Sequence, residues 1–299
     1  MDEIRKTISK YVNWQLYDNL QDEWIKYRDL AKKKRCPKQI DKYLESLITG
    51  DIPTYLLKEN KKLYRAQLVK KKDRTLLGLD FDCIFEQAYR EVVGEELTLI
   101  RDSSFKMAPR NIYLMRKELM PETEHQYEEA VKRIIYQKEA TTFWGFKKER
   151  CGIPPEQYRR AGRLNTKKDG FLYLAMEEST AIKEMKPTLG QEYSIAVGSC
   201  TRTLKLVDLV NKKKFGKNPS LLFFLSSKIS EPNIEIDEEF YRITQLLAHK
   251  LRDNGFDGIL YGSSVSNQGR NVLIFEEGNI DFKSSNCVTI ENISITYSV

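Results

Sequence analysis

Apolar residues near the start of the chain recur at helical spacing. Over residues 3–33 the steps between them are nearly all three or four positions, which predicts one long amphipathic helix. A basic run and Pro37 end this helix, and a second helix is predicted over about 38–49. The same spacing predicts helices over 79–97 and 122–139. The first half of the chain is therefore expected to be largely helical.

From residue 170 onward the pattern changes to short apolar or alternating runs, which are typical of strands. The predicted strands cover 171–175, 193–197, 204–209, 221–225, 257–261, 271–275 and 288–297, and a helix over about 236–253 interrupts them. Helices first and strands later favour an α+β fold with a mixed or antiparallel sheet. We divide the chain into a helical N-terminal region, 1–60, and a second domain, 61–299, with a helical insertion at about 75–150.

Composition and charge narrow the function only slightly. The 299 residues carry a net charge of +7, which suits a phosphate-bearing ligand, an acidic partner or nucleic acid and does not discriminate among them. The first residues lack the apolar segment of a signal peptide, and the longest apolar run, 171–176, is too short to span a membrane. The five cysteines are scattered without metal-ligand spacing. We therefore expect a cytoplasmic protein with free thiols, no metal and no membrane partner.

Candidate chemistry gathers in three short segments, 63–67 (LYRAQ), 161–187 and 261–264 (YGSS). Two arginines suit a diphosphate, because a planar guanidinium can grip two phosphate oxygens at once. An aromatic ring suits a flat base, and a carboxylate suits a sugar hydroxyl or a developing positive charge. Together these groups predict a pocket for a dinucleotide that is split at its glycosidic bond.

The two arginines are Arg65, on a predicted strand, and Arg163, in a loop rich in glycine and proline. Tyr64 is an aromatic candidate beside Arg65, and Asn165 is a lesser candidate in the loop of Arg163. Three of these residues also have a structural interpretation. Arg65 would be an ordinary surface arginine, and Arg163 would be a turn arginine that caps carbonyls. Asn165 would be present because turns favour asparagine.

Tyr173 lies on the predicted strand 171–175 and is either a core tyrosine or a platform that stacks on the base. Glu184 lies near the C-terminal end of a short predicted helix, 180–186. A carboxylate at that end opposes the helix dipole, so local stability does not explain it. The alternative for Glu184 is a solvated surface residue.

Ser263 follows the predicted strand 257–261 in a serine-rich turn, and Ser264 comes directly after it. We expect Ser263 to hydrogen-bond a phosphate or a ribose, with Ser264 as the substitute, because no histidine is placed to activate either hydroxyl as a nucleophile. Three further polar residues are expected to have a structural role only: Asp208, Gln245 and Asn271.

Residues 61–66 and 151–276 resemble a RES domain, a family named for its arginine, glutamate and serine. The resemblance is carried, in the family's order, by CGIPPEQYRRAGRLN, GFLYLAMEESTAIKEMKP, LKLVDL and ITQLLAHKLRDNGFDGILYGSSVSNQGRNVLIF. The family's tyrosine stands eleven residues before its glutamate, which is the spacing of Tyr173 and Glu184. The chain departs from the family's compact form by its long insertion, and by a glycine at 262 where proline is common.

The resemblance implies an ADP-ribosyltransferase-like fold and an enzyme that consumes NAD⁺ by cleaving its nicotinamide–ribose bond, with water or phosphate as acceptor. Members include toxins that are paired with a protein antitoxin. The residues that would be catalytic are Arg65, Glu184 and Ser263, and those that would bind substrate are Tyr64, Arg163, Asn165, Tyr173 and Ser264. NAD⁺ is then a substrate, and no cofactor is expected.

Two other functions stay open. An ADP-ribosyltransferase would use the same pocket and pass the ribosyl cation to a macromolecule. A non-enzymatic, nucleic-acid-binding module would use the lysine-rich N-terminal half, but basic runs are usually solvated faces, so nucleic acid is the weaker alternative. An oligomer is compatible with the sequence.

Overall fold

The computed structural model describes residues 14–31, 38–50, 52–70, 73, 77–78, 81–94, 123–138, 142–215, 219–231, 241–266 and 268–293. Within these residues the chain forms eight α-helices and one eight-stranded sheet. Over the same part of the chain, no helix combines the length and the apolar character that a bilayer crossing requires. The α+β fold class predicted from the sequence is confirmed.

The helices are α1 Trp14–Ala31, α2 Lys38–Thr49, α3 Phe81–Val93, α4 Glu124–Lys138, α5 Lys148–Cys151, α6 Glu178–Glu184, α7 Pro219–Ser230 and α8 Arg242–Asp253. The strands are β1 Thr54–Leu57, β2 Lys62–Leu68, β3 Leu172–Ala175, β4 Glu192–Cys200, β5 Leu204–Asp208, β6 Gly258–Gly262, β7 Arg270–Ile274 and β8 Ile280–Thr289. Residues 3–13 and 32–33 of the predicted first helix, 236–240 of the predicted last helix and 294–297 of the predicted last strand lie outside the described residues.

The strand order across the sheet is β1-β5-β6-β7-β3-β2-β4-β8. Among the strands that the structure describes, β5 and β6 alone pair in parallel, and α7 and α8 lie in the connection between them, as a parallel pair requires a long crossover. All other neighbouring strands pair antiparallel. The sheet is therefore mixed but mostly antiparallel, as predicted.

One junction in the sheet is much shorter than the others. The strands β2 and β3 pair at a single position, Tyr64 with Ala175, whereas β2 pairs with β4 over seven positions. Two strands that meet at one position diverge on either side of it. This divergence leaves room for a cleft between the two parts of the sheet.

Alternation along the strands divides the core into two faces. Phe171, just before β3, and Tyr173 on β3 join the cluster that α1, α2, α7 and α8 cover, whereas Leu172 and Leu174 join a second cluster on the opposite face. The segment around Cys151 closes that second face. Both faces of the sheet are thus buried, and the strands are rich in apolar residues on both sides.

The described helices of the predicted N-terminal region pack on the first of these faces. Leu20 of α1 and Leu44 of α2 are buried in the cluster that includes Phe224 of α7. The ring of Tyr17 meets Phe224 edge-on at 5.6 Å, and its hydroxyl lies 3.0 Å from the Ser227 hydroxyl. The helices α1 and α2 therefore share a core with the sheet. The strand β1, which also belongs to the predicted N-terminal region, pairs with β5 at one edge of the sheet.

Two of the predicted strands are corrected by the structure. The run 221–225, LLFFL, lies in helix α7, which begins at Pro219 in a position that suits proline. A short apolar run fits either a strand or a helix that is buried on several sides. Most residues of α7 are buried, so this helix is of the second kind. The last strand is β8, which begins eight residues before the predicted 288–297.

The alternation of apolar and polar residues along β8 could not be recognised in the sequence, because one of the buried residues of this strand is polar. Ser285 is fully buried, and its hydroxyl donates to the carbonyl of Phe146 at 2.7 Å. A buried hydroxyl with a hydrogen-bond partner costs little. In the sequence, however, a serine at that position reads as solvent-facing.

The predicted helical insertion contains the pair α3 and α4, which share their own apolar cluster. The two ends of the segment are joined where Leu77 forms an antiparallel bridge with Phe146. The amide of Gly78 also donates to the carbonyl of Gly145 at 2.8 Å. These contacts give the insertion a closed base.

Candidate functional site

A cleft opens where β2 and β3 diverge, and it has two adjoining parts. The larger part, about 390 Å³, is lined by Arg160, Gly162, Arg163, Leu164, Asn165, Tyr173, Glu184, Lys186, Ile229, Tyr261, Gly262, Ser264, Val265 and Asn271. The smaller part, about 250 Å³, is lined by Tyr64, Arg65, Ala66, Tyr173, Leu174, Ala175, Ala181, Glu184, Met185, Tyr261 and Asn271. Four residues line both parts: Tyr173, Glu184, Tyr261 and Asn271. These four form the centre of the site.

Glu184 reaches the centre because the helix α6 is anchored by its preceding turn. Thr180 and Ala181 are buried, and Ala181 packs with Ala66 of β2 and Ala175 of β3. Residues three and four positions apart lie on the same side of a helix, so Glu184 follows Thr180 and Ala181 on one side of α6, and its exposed side chain lines the cleft. The predicted helix, 180–186, starts and ends two residues earlier in the structure.

The Glu184 carboxylate is held through one of its two oxygens. The Ser263 hydroxyl donates to Oε1 at 2.7 Å, and Asn271 Nδ2 donates to the same oxygen at 2.6 Å. Oε2 has no hydrogen-bond partner among the described residues. The arrangement holds the carboxylate by one oxygen and leaves the other oxygen available to a ligand.

The two serines of the turn have different surroundings. Ser263 lies next to Glu184 and also accepts a hydrogen bond from the Val265 amide at 3.2 Å, so its hydroxyl is used within the protein. Ser264 lines the larger part of the cleft and makes no side-chain hydrogen bond with a described residue. The structure therefore gives Ser263 a contact with the Glu184 carboxylate, and its contact with a phosphate or ribose stays a prediction.

Tyr173 is held at the bottom of the cleft by a neighbouring loop. Its hydroxyl donates to Asn165 Oδ1 at 2.8 Å, and Asn165 Nδ2 donates to the carbonyls of Arg160 and Thr166. Burial raises the pKa of Tyr173 above its usual value, so the phenol stays protonated and keeps this donor. Asn165 is buried and holds the loop, in agreement with the alternative that the turn requires it.

The predicted phosphate ligand Arg163 lines the larger part of the cleft but is engaged by the protein. Its Nη1 donates to the carbonyl of Ile229, and its Nη2 donates to the carbonyl of Glu231. These carbonyls lie at the C-terminal end of α7, where a cation is favourable. The structure therefore contains the contacts of the alternative interpretation, in which Arg163 caps backbone carbonyls.

Arg65 lines the smaller part of the cleft, and its guanidinium is also engaged. Nη1 donates to the carbonyl of Cys151 at 2.6 Å and to that of Gly152. Burial lowers the pKa of Arg65 to about 10, which still leaves the group charged at neutral pH. Arg65 thus fixes the segment at 151–152, while its neighbour Tyr64 faces the cleft.

The structure brings all eight predicted site residues to the cleft or into contact with Glu184. Sequence reasoning missed three others, namely Arg160, Tyr261 and Asn271. For Asn271, the available signal was an amide in the otherwise apolar strand NVLIF, since a buried amide needs a specific partner. The structure places Asn271 in the lining of the cleft, where its amide donates to Glu184.

Of these three residues, Tyr261 has a side-chain hydroxyl that is buried in the cleft and available to a ligand. Its side chain is buried, it lines both parts of the cleft, and its hydroxyl makes no hydrogen bond with a described residue. Burial raises its pKa well above the usual value, with the nearby Tyr173 and Glu184 acting in the same direction. The hydroxyl therefore stays protonated and can donate to a ligand.

The protein is of the α+β class, and its described cleft lies where two strands of a mixed sheet diverge. A family model for the RES domain matches residues 130–297, which is more than half of the chain. The chain belongs to the RES family, as its sequence motifs predicted.

Solved structures also include chains that are similar to this protein. A chain in the crystal structure of the M. tuberculosis MbcT–MbcA toxin-antitoxin complex is similar to this protein at 16% sequence identity, with a TM-score of 0.34. The match covers 45% of this chain and 75% of that chain. None of the curated proteins matches the sequence.

Proposed function

We propose that this protein cleaves NAD⁺ at the bond between nicotinamide and ribose. The observation that carries the proposal is the Glu184 carboxylate, which two donors hold by Oε1 while Oε2 is left for a ligand. Glu184 lines both parts of the cleft together with Tyr173 and Tyr261, and the cleft also contains cationic residues. A negative group, flat rings and cations in one cleft suit the three parts of NAD⁺.

Heterolysis of the glycosidic bond sends the electron pair to the nicotinamide nitrogen, which neutralises the pyridinium, and leaves a positive charge on the ribose. A fixed carboxylate stabilises that oxocarbenium-like charge or holds the 2′-hydroxyl. Glu184 is suited to this because its donors set its position before the charge develops. Water then adds to the ribose and releases a proton to solvent, or an ionised oxygen of phosphate adds directly without losing a proton.

The other residues position the substrate in this proposal. Tyr173 and Tyr64 offer rings on which nicotinamide can stack, and the Asn165 contact keeps the Tyr173 ring in place. Ser263 acts through Glu184, and Ser264 offers its hydroxyl to the substrate. Arg65 contributes chiefly by holding the cleft wall at 151–152.

An enzyme that consumes NAD⁺ is harmful to the cell that makes it. We therefore propose that a protein antitoxin binds this chain and blocks its activity, as the family resemblance implies. The cleft between the two parts of the sheet is open to solvent at Val265 and Met185, so a partner has physical access to it.

The experiment incubates the full chain with NAD⁺, with and without phosphate, and identifies the products by chromatography. Nicotinamide with ADP-ribose indicates hydrolysis, and a phosphorylated ADP-ribose indicates phosphorolysis. Label from NAD⁺ that becomes attached to protein or nucleic acid indicates a macromolecular ADP-ribosyltransferase instead. Intact NAD⁺ after hours at micromolar enzyme, with no partner bound, contradicts the proposal.

A further inference from the structure

Arg160 lines the cleft beside Arg163, and the two guanidinium groups are used differently. Arg163 donates to the carbonyls of Ile229 and Glu231, so its two terminal nitrogens are engaged. The side chain of Arg160 is exposed and makes no hydrogen bond or ion pair with any residue that the structure describes. Its donors are therefore available to a ligand in the larger part of the cleft.

The backbone that carries Arg160 is fixed although its side chain is not. Asn165 Nδ2 donates to the Arg160 carbonyl at 3.0 Å. The Asn165 carbonyl in turn accepts from the Gly162 amide at 2.9 Å and from Gln245 Nε2 at 3.1 Å. A guanidinium on a fixed backbone loses less freedom when it binds a ligand than one on a mobile loop.

The cleft also keeps its opposite charges apart. Arg160 and Glu184 line the same cavity without forming an ion pair, and the Glu184 carboxylate is held by Ser263 and Asn271 instead. A site of this kind suits a ligand that carries a positive centre and an anionic group on one molecule. A phosphate is the anion that the planar guanidinium fits best, through two parallel hydrogen bonds.

We propose that Arg160 binds a phosphate of the substrate while Glu184 faces the ribose, so that Arg160, and not Arg163, supplies the principal contact to the diphosphate. This inference rests on the proposed function, because it takes a dinucleotide as the substrate. It assigns Arg163 to holding the loop against the end of α7.

The test measures the binding of ADP-ribose and of adenosine to the full chain by calorimetry. Adenosine is the matched ligand without phosphate. Arg160→Ala should raise the Kd for ADP-ribose about 10- to 100-fold, the range for losing a hydrogen bond to a charged group, and leave the Kd for adenosine unchanged. Arg160→Lys should restore part of the affinity, since lysine keeps the charge but not the planar fork.

Lys167→Ala is the control, because Lys167 is an exposed cation of the same loop and does not line the cleft. It should leave both Kd values unchanged. In NAD⁺ cleavage, Arg160→Ala should raise KM and change kcat much less. Equal ADP-ribose affinity for Arg160→Ala and the parent, an equal loss in Lys167→Ala, or no binding of ADP-ribose to the parent overturns the inference.

The two proposals can fail separately. A parent protein that binds ADP-ribose through Arg160 but leaves NAD⁺ intact supports the phosphate contact and contradicts NAD⁺ cleavage. A parent that cleaves NAD⁺ with a KM that Arg160→Ala does not change supports the function and contradicts the contact.

Discussion

At the scale of single residues, Glu184 is the group on which the proposed chemistry depends. Glu184→Gln keeps the size of the side chain and removes its charge. We expect kcat for NAD⁺ cleavage to fall about 10²- to 10³-fold, the range for losing one preorganised electrostatic group. KM should change much less, because the charge matters most when the glycosidic bond breaks.

The matched control is Glu178→Gln, which changes an exposed glutamate at the start of the same helix. It should leave kcat and KM at the parental values. Steady-state kinetics of the two variants therefore separates the role of the carboxylate from any effect on α6. Parental turnover in Glu184→Gln would show that this residue is a solvated surface glutamate.

Asn271 is predicted to act through Glu184, without contacting the reacting atoms itself. Asn271→Ala removes the 2.6 Å hydrogen bond to Oε1, and we expect kcat to fall roughly 10- to 100-fold with little change in KM. In a Glu184→Gln background the same substitution should have almost no further effect on kcat, since the two residues act as one unit. Additive losses in this double-mutant cycle would show that Asn271 acts independently of Glu184.

The sequence predicted the residue types of the site better than their contacts. Tyr173, Glu184 and the serine turn could be found because each follows a recognisable strand or helix signal. The partners of Arg65 and Arg163 could not be found, because they are backbone carbonyls at 151–152 and at 229–231, distant in the chain. Any carbonyl accepts a hydrogen bond, so no residue type marks such a partner in the sequence.

At the scale of elements, the loop after Arg160 depends on a close approach that only glycine permits. A Cβ on Gly162 would lie 2.6 Å from Asn165 Oδ1 and 3.3 Å from the Tyr173 hydroxyl. Gly162→Ala should therefore displace the Tyr173–Asn165 pair, raise KM for NAD⁺ severalfold and lower the free energy of unfolding by about 1–3 kcal/mol. Kinetics and urea unfolding measure the two effects.

Gly278→Ala provides the comparison, because a Cβ at Gly278 meets no atom within 4 Å. This substitution should change the free energy of unfolding by less than about 0.5 kcal/mol and leave KM unaltered. Identical KM values for the two alanine variants would mean that the Gly162 loop does not shape the substrate cleft.

The element that sequence patterns misassigned, α7, shows why short apolar runs are ambiguous. The five residues LLFFL are as apolar as a buried strand, and the deciding information lies outside them. Pro219 opens the segment, and α1 covers it through the contact of Tyr17 with Phe224. Burial on several sides removes the polar face by which an amphipathic helix is recognised.

At the scale of the whole molecule, acid should weaken the junction between β5 and β6. Asp257 accepts hydrogen bonds from both terminal nitrogens of Arg202 and from the Lys205 amide. Burial alone would raise the pKa of Asp257, but these hydrogen bonds outweigh it and hold the pKa below its usual value. The stabilisation is therefore complete above a pH of about 4 and is lost as the pH falls through the lowered pKa.

Urea unfolding of the parent and of Asp257→Asn between pH 7 and pH 3 checks this. The parent should be the more stable protein at pH 7, and its advantage should shrink as the solution becomes acidic. Asp253→Asn, at an exposed carboxylate that lies 3.7 Å from Arg252, should differ little from the parent at either pH. A parental advantage that stays constant down to pH 3 would rule out Asp257 as a source of acid sensitivity.

The closed base of the helical insertion has a consequence for how the molecule tolerates change. Because Leu77 and Phe146 are paired, the chain between them is an excursion whose two ends lie only about 5 Å apart, the usual spacing across an antiparallel bridge. The loop-closure entropy of such an excursion grows with the logarithm of its length, so doubling it costs only about 0.6 kcal/mol. A domain of this kind can gain, lose or exchange tens of residues at this point and still assemble the same cleft. Most of the loop-closure entropy is already lost when a short loop closes, and further residues add little to it.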